Sequence, residues 1–244
     1  RMKTIFKEQS TSKHMIFTGN SGSAKTTVAR ILAKLLKEEG VLESGAFVEC
    51  GRSDLVGKYV GWTAQIVKKK FKEARGGVLF IDEAYSLVDE GGQFGDEAIN
   101  TIVQEMENYR DEVIVIFAGY PDRMRAFLDK NEGLRSRIAF HIEFPDYSAD
   151  ELIQIMDLML DKRSYSLTES AREKALNLMK EGCSKKDFGN GRFVRNIVEQ
   201  AIMKQSLRLY ELLQSGKELT DEEMSLLVEE DLEVENLLPR DDNK

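Results

Sequence analysis

The sequence has 244 residues, 41% of them hydrophobic, enough apolar material for a buried core; it is neither a disordered tail nor a disulfide-dependent mini-protein. Thirty-five Lys and Arg stand against 43 Asp and Glu, a net charge of −8, so the surface as a whole repels polyanions, which argues against nucleic-acid and membrane-surface partners. No apolar run approaches the about 20 residues of a membrane span, the opening RMKTIFKEQ lacks the apolar stretch of a secretory leader, and the two cysteines, Cys50 and Cys183, supply neither a disulfide framework nor a zinc site. A cytoplasmic protein with both cysteines buried is the expectation.

Along the chain, His14 to Thr18 is a near-continuous apolar run, the pattern of a strand buried on both faces. A helical period follows from Lys25, with Val28, Ile31, Leu32, Leu35 and Leu36 as its apolar residues and Gly40 where a C-cap glycine belongs. Ala46 to Cys50 is a shorter strand candidate. A second helix carries Ile66, Val67, Phe71 and Ala74. Gly77 to Ile81 is again a buried strand, and a third helix carries Ala98, Ile99, Ile102, Val103 and Met106. Val113 to Ala118 repeats the buried-strand pattern, and Ala139 to Phe144 alternates partly, as a strand at a sheet edge does. Strand alternating with helix predicts an α/β domain with a five-stranded parallel sheet over residues 1–145.

Beyond Phe144-Pro145-Asp146 the strand signals stop. Three helical patterns follow: Leu152, Ile155, Met156, Met159 and Leu160; Ala171, Ala175, Leu178 and Met179; Val194, Ile197, Val198, Ala201 and Ile202. They predict a small all-α domain over 146–214. Residues 215–244 are acidic and sparse in apolar side chains, and read as a tail or linker with a short helix around Glu222 to Val228.

The first strand runs into Gly19, Asn20, Ser21, Gly22, Ser23, Ala24, Lys25, Thr26 and Thr27, and then directly into a helix. Strand, small-residue loop and helix N-terminus make a phosphate-binding loop. Its backbone N–H groups would wrap phosphates, Lys25 would reach the β and γ phosphates, and Thr26 would ligate Mg²⁺. The pattern G-x-x-x-x-G-K-[ST] has glycine where this chain has Ala24. The extra methyl is tolerable if that position is already helical.

Val78 to Ile81 ends in Asp82-Glu83, which delivers two carboxylates to the carboxyl edge of the sheet, where ligands of open α/β sheets bind. Asp82 is the expected metal-side residue, and Glu83 would orient the water that attacks the γ-phosphate.

The segments FTGNSGSAKTTVARI, VLFIDEAYSL, VIVIFAGYPDRM, NEGLRSRIAFHIEFPDYS and GNGRFVRNIVEQA occur in this order over about residues 14–214. In them the chain resembles the AAA+ ATPases, in particular the group of stage V sporulation protein K and the red-type Rubisco activases. The resemblance implies a P-loop NTPase fold with a helical lid, ATP and Mg²⁺ as ligands, nucleotide held between the two domains, and a homo-oligomeric ring, usually of six. It implies a trans-acting arginine finger at Arg137, with Arg135 the competing candidate, whose guanidinium fork suits charge spread over phosphoryl oxygens. It makes Arg192 a lid arginine that contacts phosphate, with Arg195 one helical turn on. Tyr59, Val60 and Gly61 match the aromatic-hydrophobic-glycine pore loop that grips a polypeptide. Trp62 shares that loop or anchors the next helix, and Gly91-Gly92-Gln93-Phe94 would be a second pore loop.

Two departures stand out. The sensor 1 position falls on Tyr120, a bulkier donor than the usual Asn, Ser or Thr, and Ser21 stands where the group often has proline. The leading expectation is an ATP-hydrolysing ring that remodels an unidentified protein partner. The alternative, motivated by Ala24 and Tyr120, is a nucleotide-gated scaffold with little turnover. A DNA-acting loader is disfavoured by the acidic balance. His14 and His141 read as core or edge residues, not ligands.

Overall fold

The computed structural model describes residues 12–59, 61–89 and 93–233. Strands β1 (His14–Gly19), β2 (Phe47–Cys50), β3 (Val78–Ile81), β4 (Ile114–Gly119) and β5 (Ile138–Phe144) form one parallel sheet in the order β2-β3-β4-β1-β5. All five expected strands are present within one residue at each end, and the partly alternating β5 is indeed an edge. Parallel neighbours need long crossovers, and the helical periods of the sequence supply them: α1 (Lys25–Glu38), α2 (Trp62–Glu73) and α3 (Gln93–Asn108). A fourth helix, α4 (Pro121–Asp129), was not foreseen. It starts at a proline in the first helical turn, after an extended Tyr120 (φ −68°, ψ 140°), the position where a missing N–H costs nothing.

Alternate strand residues face opposite sides. Ile16, Leu79, Ile81, Val115 and Phe117 pack with α2, α3 and α4, whereas Met15, Phe17, Val78, Phe80, Ile114 and Ile116 pack with α1. The α1 stripe differs from expectation. Its buried face is Ala29, Ala33 and Leu36, with Leu32 partly covered, while Val28, Ile31 and Leu35 are exposed. Alanines let the helix lie close on the sheet, so only one edge of a wide apolar arc is used. Gly40 adopts φ +66° just past the helix, as foreseen.

His14, 3% exposed, opens β1 and accepts the Val115 N–H at Nδ1 (3.0 Å), so its ring caps a strand end inside the core. Burial lowers its pKa to about 4, more than the hydrogen bond to the Met106 backbone raises it. Cys50 is buried, which pushes its thiol up to about 11; Cys183 is exposed, contrary to expectation, and rests its Sγ at 3.5 Å from the Tyr147 carbonyl.

The chain forms two compact units. Among the described residues, the first contains those through Gly19 and those within Ala24–Phe144; the second contains Asn20–Ser23 and those from Pro145 to Glu233. In the second, α5 (Ala149–Asp161), α6 (Glu169–Cys183) and α7 (Asn190–Gln214) enclose an apolar core. Ser148 caps α5 reciprocally with Glu151, accepting its N–H at 3.3 Å and donating its own to the carboxylate at 2.8 Å.

Residues beyond 214, expected to be a tail or linker, contribute to this core. A turn of helix at Asp221–Ser225, a strand Leu226–Leu227 paired in parallel with Ser166–Leu167, and a 3₁₀ turn Glu229–Leu232 bring Leu227 and Leu232 to zero exposure. The reason is local: two leucines enter the core, and the buried Asp231 is held by both Nε and Nη2 of Arg208, at 2.9 and 2.8 Å. No described helix is long and apolar enough to cross a membrane.

Candidate nucleotide site

Register places the candidate residues of the first unit. Thr18 on β1 lies beside Gly119 on β4, and Ile81 on β3 lies beside Phe117, so the ends of β1, β3 and β4 emerge at one edge of the sheet. Two strand spacings separate β1 from β3, roughly 10 Å. Gly19, Asp82 and Tyr120 therefore leave the sheet side by side, and the Ala84 N–H donates to the Ala118 carbonyl (3.1 Å), which holds the Asp82-Glu83 turn against β4.

Ala24 is not helical. It sits at φ +65°, ψ 17°, in the left-handed region, immediately before the first residue of α1. That conformation is the physical reason such loops carry glycine there, and alanine costs about 1 to 2 kcal/mol in it. Lys25 donates from Nζ to the Gly19 carbonyl at 2.8 Å, spanning the loop from below. Thr26 and Thr27 follow in the first turn of α1, with no acidic residue in that turn to compete with an anion.

Glu83 is exposed at φ +48°, a second left-handed position on a non-glycine residue, and its N–H donates to Asp82 Oδ1 at 3.0 Å. The turn thus fixes one oxygen of Asp82 and presents Glu83 to solvent at the sheet edge, a local strain of the kind that gathers at working sites. Tyr85 behind it is buried; burial first, and the Glu83 charge second, push its phenol up to about 12. Arg123 lies over its ring at 5.1 Å, and Tyr120 packs at 6.4 Å between centroids. Arg123 escaped sequence reasoning because its helix did.

The donor set suits Mg²⁺ with a polyphosphate: a threonine hydroxyl, one aspartate and an ammonium near a helix N-terminus, a sparse protein contribution that leaves room for phosphate and water oxygens. Among the described residues no group of three or more His, Cys, Asp or Glu could hold a metal by itself.

The two arginine candidates differ. The Arg137 side chain is 33% exposed, donates Nη1 to the Gly133 carbonyl (2.9 Å) and lies 3.7 Å from Glu107; its Nε is buried without a hydrogen-bond partner. The Arg135 side chain is 66% exposed and pairs loosely with Asp129 at 3.4 Å. Tyr59 and Trp62 are both exposed, 62% and 55%, and their rings meet edge to face at 4.9 Å. Gly61 between them is left-handed (φ +79°) and caps α2. Val60 and the Gly91-Gly92 part of the second pore-loop reading lie outside the described residues, as do the side chains of Gln93 and Phe94.

In the second unit, Arg192 and Arg195 are exposed in the opening turns of α7. The loop crest Asn20–Ser23 also belongs here. Asn20 Nδ2 donates to both oxygens of Asp146 (3.1 and 2.9 Å), Asn190 Nδ2 donates to the Ser21 carbonyl (3.2 Å) and to Asp146 (2.7 Å), and the Gly191 N–H donates to the Gly22 carbonyl (3.2 Å). Asp146 and Asn190 had no role in the sequence reading. An asparagine after a glycine at a helix start, a pair suited to left-handed backbone, was the available signal.

Residues 15–146 match the family described as ATPase family associated with various cellular activities (AAA), and residues 148–240 match the AAA lid domain. Stage V sporulation protein K of Bacillus subtilis (strain 168) is 48% identical over 200 residues, which cover 80% of this chain and 62% of that protein. Protein CbbX of Cereibacter sphaeroides is 44% identical over 234 residues, 95% of this chain and 75% of that one. The chloroplastic ribulose bisphosphate carboxylase/oxygenase activase of Cyanidioschyzon merolae (strain NIES-3377 / 10D) is 41% identical over 234 residues, 95% and 79% respectively. The crystal structure of the FIGL-1 AAA domain in complex with ADP has a similar fold, with a TM-score of 0.62 at 19% identity over 91% of this chain and 70% of that chain. The chain thus spans less than two thirds of the first of these relatives.

Proposed function

Because the chain belongs to the AAA family of ATPases, we propose that it hydrolyses ATP with Mg²⁺ at the Gly19–Thr27 loop, works as a homo-oligomeric ring, and uses the energy to remodel a protein partner. The observation that carries the reading is the register that brings the loop and Asp82-Glu83 out at one sheet edge.

In this reading Lys25 exchanges the uncharged Gly19 carbonyl for phosphate oxygens, so that both partners of its hydrogen bond carry charge. Thr26 and Asp82 would hold Mg²⁺, which would supply positive charge against the phosphates. Glu83 orients the attacking water as the γ-phosphoryl group leaves in line. A neighbouring subunit supplies the arginine finger. Arg137 is the finger by motif position, and its release from Gly133 and Glu107 is then part of assembly. Arg135 is the more exposed competitor. Arg192 adds a phosphate contact from the lid, and Tyr59-Val60-Gly61, with Trp62 packed on Tyr59, grips the polypeptide. Among the relatives, one is named for sporulation and one for ribulose bisphosphate carboxylase/oxygenase; no residue here selects either partner.

Steady-state ATP turnover per subunit, measured over a range of protein concentrations beside Glu83→Gln, tests the reading. Turnover that rises with concentration and falls at least about 100-fold in the variant is the expected result. The scaffold reading, favoured by Ala24 and Tyr120, requires instead a negligible rate that is equal in both proteins while nucleotide still binds.

A further inference from the structure

Among the bonds that hold the crest of the candidate phosphate loop, one comes from a buried side chain. Asn190 is 1% exposed, begins α7, and sits at φ +48° directly after Gly189 at φ +96°. Two successive left-handed residues are costly for anything but glycine and asparagine, and they turn this amide inward with its bonding capacity used. Oδ1 accepts the Tyr147 N–H (2.9 Å), and Nδ2 donates to Asp146 Oδ1 (2.7 Å) and to the Ser21 carbonyl (3.2 Å). One residue on, the Gly191 N–H donates to the Gly22 carbonyl. The approach is close: a Cβ on Gly22 would stand 2.1 Å from the Gly189 carbonyl oxygen.

These bonds fix the direction of the loop's donors. In a trans peptide the carbonyl and the following N–H point opposite ways. Holding the Ser21 and Gly22 carbonyls toward α7 therefore turns the N–H groups of Gly22 and Ser23 to the other side of the crest, where the Ser23 N–H makes a long bond to the Asn20 carbonyl (3.4 Å). Backbone N–H groups so turned are what a phosphate-binding loop offers its ligand.

We propose that Asn190 is a positioning residue for nucleotide binding: by bonding the Ser21 carbonyl and Asp146 together, it orders the loop crest before the polyphosphate arrives. It touches no reacting atom. A loop ordered in advance gives up less freedom on binding, so loss of the strap weakens affinity and leaves the chemical step alone. This rests on the reading of Gly19–Thr27 as the nucleotide site.

Asn190→Asp is nearly isosteric and keeps an acceptor for the Tyr147 N–H, but it cannot donate to Ser21 and sets a second carboxylate against Asp146. Adding Asp146→Asn removes that repulsion and restores an amide–carboxylate pair, while the Ser21 carbonyl stays without its donor; because it also takes one acceptor oxygen from Asn20, D146N alone is measured alongside and the double variant is judged against it. Equilibrium binding of fluorescent Mg-ATP to the full chain, KM and kcat for ATP, and thermal melting are measured for the wild type, N190D, D146N and N190D/D146N. The expected result is a Kd and KM raised about tenfold in N190D and still raised in the double variant relative to D146N, with kcat at saturation within about threefold of wild type and the double variant melting like wild type. Wild-type affinity in folded N190D, or an affinity of the double variant equal to that of D146N, overturns the proposal, and if N190D does not fold the double variant against D146N decides alone. Should the wild type bind no ATP, or Lys25→Ala bind it as well as wild type, the loop reading fails instead.

Discussion

The two units are stabilised by different means. In the first, every side chain of β3 has zero exposure, the central strands β3 and β4 are apolar throughout, and the polar groups with candidate chemistry stand at the exposed sheet edge. In the second, the apolar core is pinned by buried polar groups. Asp231 has zero exposure and is gripped by Arg208, Gln205 at 1% donates to the Met224 and Leu226 carbonyls (3.0 and 3.1 Å), and Asn190 bonds three partners. A sheet satisfies its own backbone, so the strands of the first unit need no such struts. Short segments such as Leu226–Leu227 and Glu229–Leu232 do not, and side chains complete their hydrogen bonding.

This contrast predicts where substitutions act. Arg208→Ala leaves the Asp231 carboxylate buried and unpaired, and is expected to cost about 3 to 5 kcal/mol. Calorimetry should show the second unit melting ahead of the first; a single unshifted transition would break the comparison. Glu83→Gln, at the exposed edge of the first unit, should change stability by less than about 0.5 kcal/mol while removing turnover.

The first unit also buries polar side chains, Thr63, Thr101 and Glu105 on its helices and His14, a titratable group within the sheet. Its folded pKa, about 4, lies below the ordinary 6.5, so the unfolded chain takes up the proton first. The stability it contributes is complete above pH 6.5 and is lost as pH falls toward 4, by up to about 3 kcal/mol. Urea titrations at pH 7, 5.5 and 4.5 should show His14→Gln losing less stability than wild type over that interval. A small gain is expected at Ala24: Ala24→Gly relieves a left-handed alanine but adds freedom to the unfolded chain, for a net gain of about 0.5 to 1 kcal/mol in thermal melts.

The same division governs how much was legible. The five strands and the principal helices were readable because near-continuous apolar runs and 3.6-residue periods are one-dimensional signals. The placement of the candidate loop and of Asp82-Glu83 at strand ends was readable because each directly follows an apolar run. Which edge of the α1 stripe is buried was not readable, since Ala29 and Ala33 carry little hydrophobic weight and only the closeness of the sheet selects them. The role of Leu227, Leu232 and Asp231 was hidden in an acidic segment, because the partner that neutralises Asp231 stands 23 residues away at Arg208.

By itself, then, the sequence determined the alternation of strands and helices and the order in which the candidate phosphate loop and the acidic pair after β3 occur, all of which depend on spacing along the chain. Only the tertiary structure decided that Ala24 and Glu83 are left-handed, that Arg137 is tied to Gly133 while Arg135 is more open, and that Asn190 reaches the Ser21 carbonyl 169 residues away in the sequence. Those facts depend on backbone angles and on contacts between distant segments, which are set when the chain closes on itself and leave no periodic trace along it.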